Sequence, residues 1–306
     1  GFERQHELHL KYDKSSIIPK RIAVLIGKNG LGKSESLKAF CRGALQYTDK
    51  NISLADERGD RPLINRIIAI STPGETSNTF PKEMRSTQKL HYRRLTLTRK
   101  GTRTIGESLV QLARTQEYIG GLSRWELFYD SLGHAFNDVD DIVLELNNKQ
   151  YIPLKLFHSS GSEEQRLKIW ALIAKNSDPK MRRGKNYYPL SSGQLSFFKF
   201  ALLCCLHVEN GSFVLIDEPE THLHPNLISD FVGLLDNMLE KTNSYALVAT
   251  HSAYFVREVA RQQVHIYKFN KEDNYVDILP PRLRTFGADV ESISHFVFDE
   301  DVDNNL

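Results

Sequence analysis

The octapeptide Gly27-Lys28-Asn29-Gly30-Leu31-Gly32-Lys33-Ser34 fits the pattern G-x-x-x-x-G-K-[ST] at every fixed position. Its flanks fit as well. An apolar, β-branched run, Ile22-Ala23-Val24-Leu25-Ile26, leads in as a buried strand would. From Ser34 onward, Ser36, Leu37, Ala39 and Phe40 read as the start of a helix. A strand, a glycine turn and a helix N-terminus form the context in which this pattern binds phosphate. The glycines let backbone N–H groups curl around phosphate oxygens, and the helix dipole adds positive potential there. The expected contact positions are Gly27, Lys28, Asn29, Gly30, Leu31, Gly32, Lys33 and Ser34, with Glu35 just beyond. Lys33 is the catalytic point charge for the β- and γ-phosphates, and Ser34 offers its hydroxyl to Mg²⁺.

The whole chain sets bounds on this reading. Its 306 residues, 40% of them hydrophobic, suffice for one large domain or two lobes. A formal charge of +2 gives no bulk argument for nucleic acid or membrane. Cys41, Cys204 and Cys205 lack metal-ligand spacing and sit among apolar neighbours, so they read as core thiols of a cytoplasmic protein. No stretch reaches the length of a membrane span, and no secretory leader is evident. The chain opens on Gly1, which leaves open a processed, tagged or excised segment.

Alternation in residues 7–12 reads as a half-exposed strand that pairs with the one before the phosphate loop. Further strands are expected at 67–70, 95–98, 213–216, 245–249 and 264–269, and a hairpin at 142–146 and 151–157. Helical spacing is expected at 105–136, 163–175, 227–239 and 253–260. Strands alternating with helices in the last third imply an α/β fold with a largely parallel sheet. Residues 1–100 form the N-terminal part of a nucleotide-binding core. Residues 101–190 form an inserted, mainly helical lobe, and 191–306 the C-terminal part of the core.

Three further segments carry chemistry. The strand Phe213-Val214-Leu215-Ile216 delivers Asp217 and Glu218 to a sheet edge. There Asp217 is expected to hold Mg²⁺, and Glu218 to orient or deprotonate the attacking water. Ser191, Ser192, Gly193 and Gln194 open a long apolar run, which makes a helix N-terminus able to receive an anion. Finally, Tyr245 to Ala249 is a buried strand that leads through Thr250 to His251.

Taken in this order, the segments resemble the ATP-binding-cassette ATPases. Leu190 to Gln194 is similar to the Leu-Ser-Gly-Gly-Gln signature, with Ser192 replacing the first glycine. His251 is similar to the switch histidine. The run Glu218-Pro219-Glu220-Thr221-His222-Leu223-His224-Pro225 resembles the soluble branch that includes RecF, SMC, Rad50 and OLD-like proteins. Scattered segments (Ile18 to Arg21, Ser71 to Pro81, Phe286 to Val290) resemble the Septu and retron-associated antiviral ATPases. The antiparallel β subdomain of the cassette fold is implied by the same likeness.

That resemblance implies ATP and Mg²⁺ as cofactors, and a catalytic set of Glu218, His251 and Lys33. It also implies a homodimer in which Ser191, Ser192, Gly193 and Gln194 of one copy close the nucleotide site of the other. A nuclease effector subunit is the partner implied by the antiviral branch, while a RecF-like DNA-binding ATPase and a slowly hydrolysing scaffold are the alternatives. One departure stands out. Ser71-Thr72-Pro73 occupies the place of the family's Q-loop glutamine, with Gln88 a distant substitute. Two basic clusters allow nucleic-acid contact or simple solvation: Arg93, Arg94, Arg99, Lys100 and Arg103, and Lys180, Arg182, Arg183 and Lys185 with Tyr187 and Tyr188. Tyr12 is a candidate for stacking on the base.

Overall fold

The computed structural model describes residues 7–12, 21–46, 52–72, 79–83, 90–97, 104–159, 161–272 and 274–298. Its strands begin with β1 (Ile22–Gly27), β2 (Arg66–Ser71), β3 (His91–Thr96), β4 (Tyr118–Ile119) and β5 (Leu122–Ser123). They continue with β6 (Ile142–Glu145), β7 (Tyr151–Pro153), β8 (Lys180–Arg183) and β9 (Asn186–Pro189). The last four are β10 (Ser212–Asp217), β11 (Tyr245–Thr250), β12 (Val264–Asn270) and β13 (Tyr275–Leu279). The helices are α1 (Lys33–Ala44), α2 (Ile105–Arg114), α3 (Arg124–Ala135), α4 (Leu154–Ser159) and α5 (Glu163–Leu172). After them come α6 (Ser192–His207), α7 (Asn226–Lys241), α8 (Ala253–Val256) and α9 (Val290–Phe298).

The chain divides into two compact units. The first gathers residues 1–96, 209–221 and 242–306; the second gathers 97–208 and 222–241. In the first, seven strands form one sheet in the order β13-β12-β1-β11-β10-β2-β3, parallel throughout except for β12 with β13. Strands β1 and β10 are buried along their whole length, which is why they read as continuous apolar runs and not as alternation. Leu37, Cys41 and Ala44 of α1 join Ala23, Leu25, Ile67, Ala69, Leu215 and Leu247 in one hydrophobic cluster. The register decides which residues share the sheet edge. Ile26 pairs with Thr250, and Asp217 with both Ala249 and Ser71, so these strands end level with one another. Gly27 pairs with Tyr267, whose carbonyl oxygen would lie 2.5 Å from a Cβ at that position. Only a glycine lets these strands meet there.

The second unit has its own core, in which α6 is buried on nearly every side. Phe198 of α6 meets Phe128 edge-on at 5.2 Å between centroids, and Phe200 stacks on Phe231 at 3.8 Å. Four antiparallel strands in the order β7-β6-β8-β9 accompany the helices. The described part of 101–190 is therefore a mixed lobe, and α6 packs with it. Helices α2, α3, α5 and α6 each begin with a reciprocal capping box, from Thr104, Ser123, Ser162 and Ser191 respectively.

Several expectations are corrected. Residues 7–12 form no strand, because β1 already has β11 and β12 on its two edges. Their alternation instead records burial: Leu8, Leu10 and Tyr12 pack against the core. The helical stretch 105–136 is broken by the β4–β5 hairpin, whose turn uses Gly120 and Gly121 at φ 57° and 86°. Strand β7 stops at Pro153 and the chain turns into α4. Helix α8 is shorter than the 253–260 expected. The pair β8–β9, strand β13 and helix α9 are additions. Residue 98 of the expected strand 95–98 lies outside the described residues. The three thiols are buried and free, and burial pushes Cys41 and Cys205 up to about 12, where a thiolate is scarce at neutral pH.

Candidate nucleotide site

The loop after β1 turns through Gly30 and Gly32 at φ 81° and 94°, conformations that favour glycine. Gly32 opens α1 in the left-handed region, and no side chain caps that helix. The contrast with the four boxed helices is physical. Without a side-chain cap, the first turn of α1 presents its N–H groups and dipole to an anion. Lys28, Asn29 and Gly30 are exposed, Leu31, Gly32 and Ser34 half-buried, and Glu35 faces solvent with its carboxylate 3.0 Å from Lys38.

Lys33 is buried, and its Nζ donates to the carbonyl oxygens of Gly27 (2.7 Å) and Lys28 (2.9 Å). Burial lowers its pKa, while Glu218, Glu220 and Asp217 act in the opposite sense. These three carboxylates and the ammonium thus share one electrostatic site at the sheet edge.

Asp217 ends β10 with no solvent exposure. The Ser34 hydroxyl donates to its Oδ1 at 2.9 Å and the Thr79 hydroxyl to its Oδ2 at 2.7 Å. Burial raises its pKa, against those two hydrogen bonds and Lys33. A hydroxyl beside one carboxylate is a hard, oxygen-only donor pair. It fits Mg²⁺, which takes one or two protein oxygens and fills its shell with water and phosphate oxygens. No cluster of three or more His, Cys, Asp or Glu side chains suited to a metal occurs among the described residues.

Glu218 comes next at φ 49°, a left-handed conformation that costs a non-glycine residue about 1–2 kcal/mol. Its N–H donates to the Ala249 carbonyl of β11 at 2.9 Å, which fixes the turn beyond the strand. The acidic side chain is thereby set, half-buried, at the end of the sheet. His251 leaves the end of β11 with its side chain 45% exposed. Its Nδ1 lies 3.0 Å from Oε1 of Glu220.

The structure brings Gly27 to Glu35, Asp217, Glu218 and His251 together in the first unit. Ser191, Ser192, Gly193 and Gln194 belong to the second. There the Ser191 hydroxyl accepts from the Gln194 N–H at 3.2 Å, and the Gln194 amide oxygen accepts from the Ser191 N–H at 3.1 Å. Both side chains therefore cap α6, while Ser192 stays exposed at its first turn.

Sequence reasoning missed two contributors, Thr79 and Glu220. Thr79 reaches Asp217 from the loop after β2, where a Q-loop glutamine was sought; Gln88 lies outside the described residues. Tyr12 does something other than await a base: its ring lies 4.7 Å from Tyr245 and its hydroxyl donates to the Ala246 carbonyl.

Among the described residues, each basic cluster is partly ion-paired. Arg182 pairs with Asp141 at 2.9 Å, Lys180 with Glu145 at 3.0 Å, and Tyr187 stacks on Tyr151 at 3.9 Å. Arg93 lies 3.6 Å from Glu83, and Arg99, Lys100 and Arg103 lie outside the described residues.

A mostly parallel sheet, a glycine loop opening an uncapped helix and a strand-end aspartate facing its serine define a P-loop NTPase fold. Residues 101–257 match the family described as "AAA domain, putative AbiEii toxin, Type IV TA system", and the chain belongs to that family. Protein ea59 of Escherichia phage lambda is 36% identical over 94 residues, which are 31% of this chain and 18% of that protein. The chain thus matches under a fifth of this curated relative's length. Among solved structures, an SMC head domain from Thermotoga maritima aligns with TM-score 0.39 and 12% identity, over 86% of this chain and 91% of that one. An SMC head bound to the C-winged helix domain of ScpA aligns with TM-score 0.31 and 12% identity, over 58% and 54% of the two chains. No helix among the described residues is long and apolar enough to cross a membrane.

Proposed function

We propose that this chain is an ABC-type ATPase that dimerises on ATP and regulates a nuclease partner in antiviral defence. The observation that carries the ATPase reading is the group formed by Lys33, Ser34, Asp217 and Glu218 at one sheet edge, with His251 at the end of the neighbouring strand. Lys33 would exchange its two carbonyl partners for β- and γ-phosphate oxygens. Ser34 and Asp217 would hold Mg²⁺, which when bound neutralises charge developing on the phosphates. Glu218 would accept the proton of the attacking water, and His251 would contact the γ-phosphate. Positioning and charge are the whole of this chemistry, since phosphoryl transfer asks little else of a protein.

The dimer is the second part of the proposal. Ser192 and the first turn of α6 would meet the γ-phosphate of the other copy, so that ATP joins two chains and hydrolysis parts them. The family description, with its toxin of a toxin–antitoxin system, and the likeness to a bacteriophage protein support the defence setting. The nuclease class of the partner follows from the resemblance to antiviral ATPases. The ion-paired state of Lys180 and Arg182 argues against that surface as a phosphate-backbone track.

Steady-state phosphate release from the purified chain tests the ATPase. Glu218→Gln should lower turnover by about 100-fold or more while nucleotide is still bound, as loss of a general base does. Equal turnover in the two proteins would end the hydrolytic reading.

A further inference from the structure

Glu220 lies two residues beyond Glu218, and two successive residues of the switch turn bond to it. Its Oε1 accepts from the Thr250 hydroxyl at 2.6 Å and from the His251 N–H at 2.7 Å. The same oxygen lies 3.0 Å from His251 Nδ1. Thr250 Oγ1 in turn accepts from the Ser252 N–H at 3.0 Å. The side chain of Glu220 is only 7% exposed, and its Oε2 is buried with no hydrogen-bond partner among the described residues.

A carboxylate buried in this way is a poor device for stability alone. Leaving one oxygen unpaired is costly, and a carboxylate loses more on desolvation than a neutral acceptor. A threonine or asparagine would cap the same turn at lower cost. What the carboxylate adds is a negative charge 3.0 Å from one ring nitrogen of His251, which favours the tautomer that carries its proton there. With the proton on Nδ1 beside Glu220, the other nitrogen, Nε2, is left without its proton in the neutral ring.

We infer that Glu220 is a positioning residue for His251: it holds the imidazole in the Nδ1–H form and aims Nε2 out of the turn. This assignment rests on the ATPase reading for its consequence, but not for its geometry. In the catalytic cycle the ring would then meet the γ-phosphate in one orientation. Glu220 would touch neither nucleotide nor metal. It acts through His251.

The test reads the ring directly. In the chain labelled with ¹⁵N-histidine, with His251 assigned by its loss in His251→Gln, long-range ¹H–¹⁵N correlation distinguishes the two tautomers. Wild type should show His251 with the proton on Nδ1. Glu220→Ala should move it towards the Nε2–H form that free imidazole favours. Glu220→Gln, which keeps an acceptor oxygen at the same reach, should retain the Nδ1–H form.

Kinetics supply the second arm. Glu220→Ala should lower kcat by about 10–100-fold, the size typical of losing a residue that orients a functional histidine, with KM for ATP changed little. Glu220→Gln should recover most of that loss. In a His251→Ala background, Glu220→Ala should have no further effect. An unchanged tautomer in Glu220→Ala, or an undiminished penalty without His251, would overturn the inference. If wild type releases no phosphate, the ATPase reading fails and the tautomer still decides the role of Glu220.

Discussion

Asp217 shows how a functional group at the residue scale can oppose the fold that holds it. It has no solvent exposure, and burial raises its pKa in spite of two donated hydrogen bonds and a nearby ammonium. The folded chain therefore holds the proton of Asp217 more tightly than the unfolded chain does. Below the ordinary aspartate range both states are protonated and there is no penalty. As pH rises through that range the unfolded chain ionises freely, and stability falls until pH passes the raised value of the folded state. Asp217→Asn should therefore raise the thermal midpoint by a few degrees at neutral pH, with the gap from wild type narrowing in acid. Scanning calorimetry at several pH values measures this. The same variant should lose Mg²⁺-dependent nucleotide binding, which is the sense in which the carboxylate is kept for function.

Residues of this kind differ in how well a sequence announces them. Lys33, Ser34 and Asp217 stand in motifs whose spacing encodes local geometry, so their neighbourhood was legible from the motifs themselves. Thr79 and Glu220 were not. Each acts through a contact across the fold: Thr79 meets Asp217 138 positions away, and Glu220 meets Thr250 30 positions away. Nothing local distinguishes a threonine in a turn-rich loop from one that holds a strand-end carboxylate. For Glu220 the sequence offered only its place in the acidic run that follows Asp217.

At the scale of elements, the legible parts were those buried on both faces. Strands β1, β10 and β11 read as apolar runs because water touches neither side of them. Strand β9 is exposed along its whole length and β8 only half-buried, so no apolar alternation marked either. Alternation in β13 was present in Val276 and Ile278 but lay beyond the last motif. Residues 7–12 erred in the other direction, because alternation reports which side chains face the core and does not supply a free strand edge.

Helix α6 carries the signature residues at one end, and its other end depends on Arg124. That side chain is 3% exposed and donates through its guanidinium to the carbonyls of Cys205 (2.8 Å) and Val208 (2.9 Å), with Nε bonded to Glu117. A cation on the last carbonyls of a helix satisfies acceptors that have no partner in the helix and complements its dipole. Arg124→Met keeps the stem and removes the fork. Two buried carbonyls then lose their donor, so urea denaturation should report a loss of about 2–4 kcal/mol. Because the cap lies at the far end of the helix from Ser192, ATP turnover of the folded fraction should change less than twofold, an expectation based on the short reach of such effects.

For the whole molecule, the central proposal is that one nucleotide is held by two chains. The first unit carries the phosphate loop, Asp217, Glu218 and His251, and the second carries Ser191 to Gln194. A composite site makes a prediction that no single-chain site can match. Lys33→Ala removes the phosphate contact of a copy's own site, and Ser192→Arg blocks the face that copy would present to another. Each variant alone should be inactive in phosphate release. When the two are mixed in equal amounts under conditions that exchange subunits, mixed dimers hold one doubly damaged site and one intact site. Random twofold pairing makes half the dimers mixed, so about a quarter of wild-type turnover should return. Recovery near that level, dependent on protein concentration, supports a site shared between copies. A mixture as inactive as its components, although light scattering detects ATP-dependent dimers, would mean that the signature residues act elsewhere. Ser192→Arg retaining full activity alone would mean that Lys33, Ser34 and Asp217 work without a second chain.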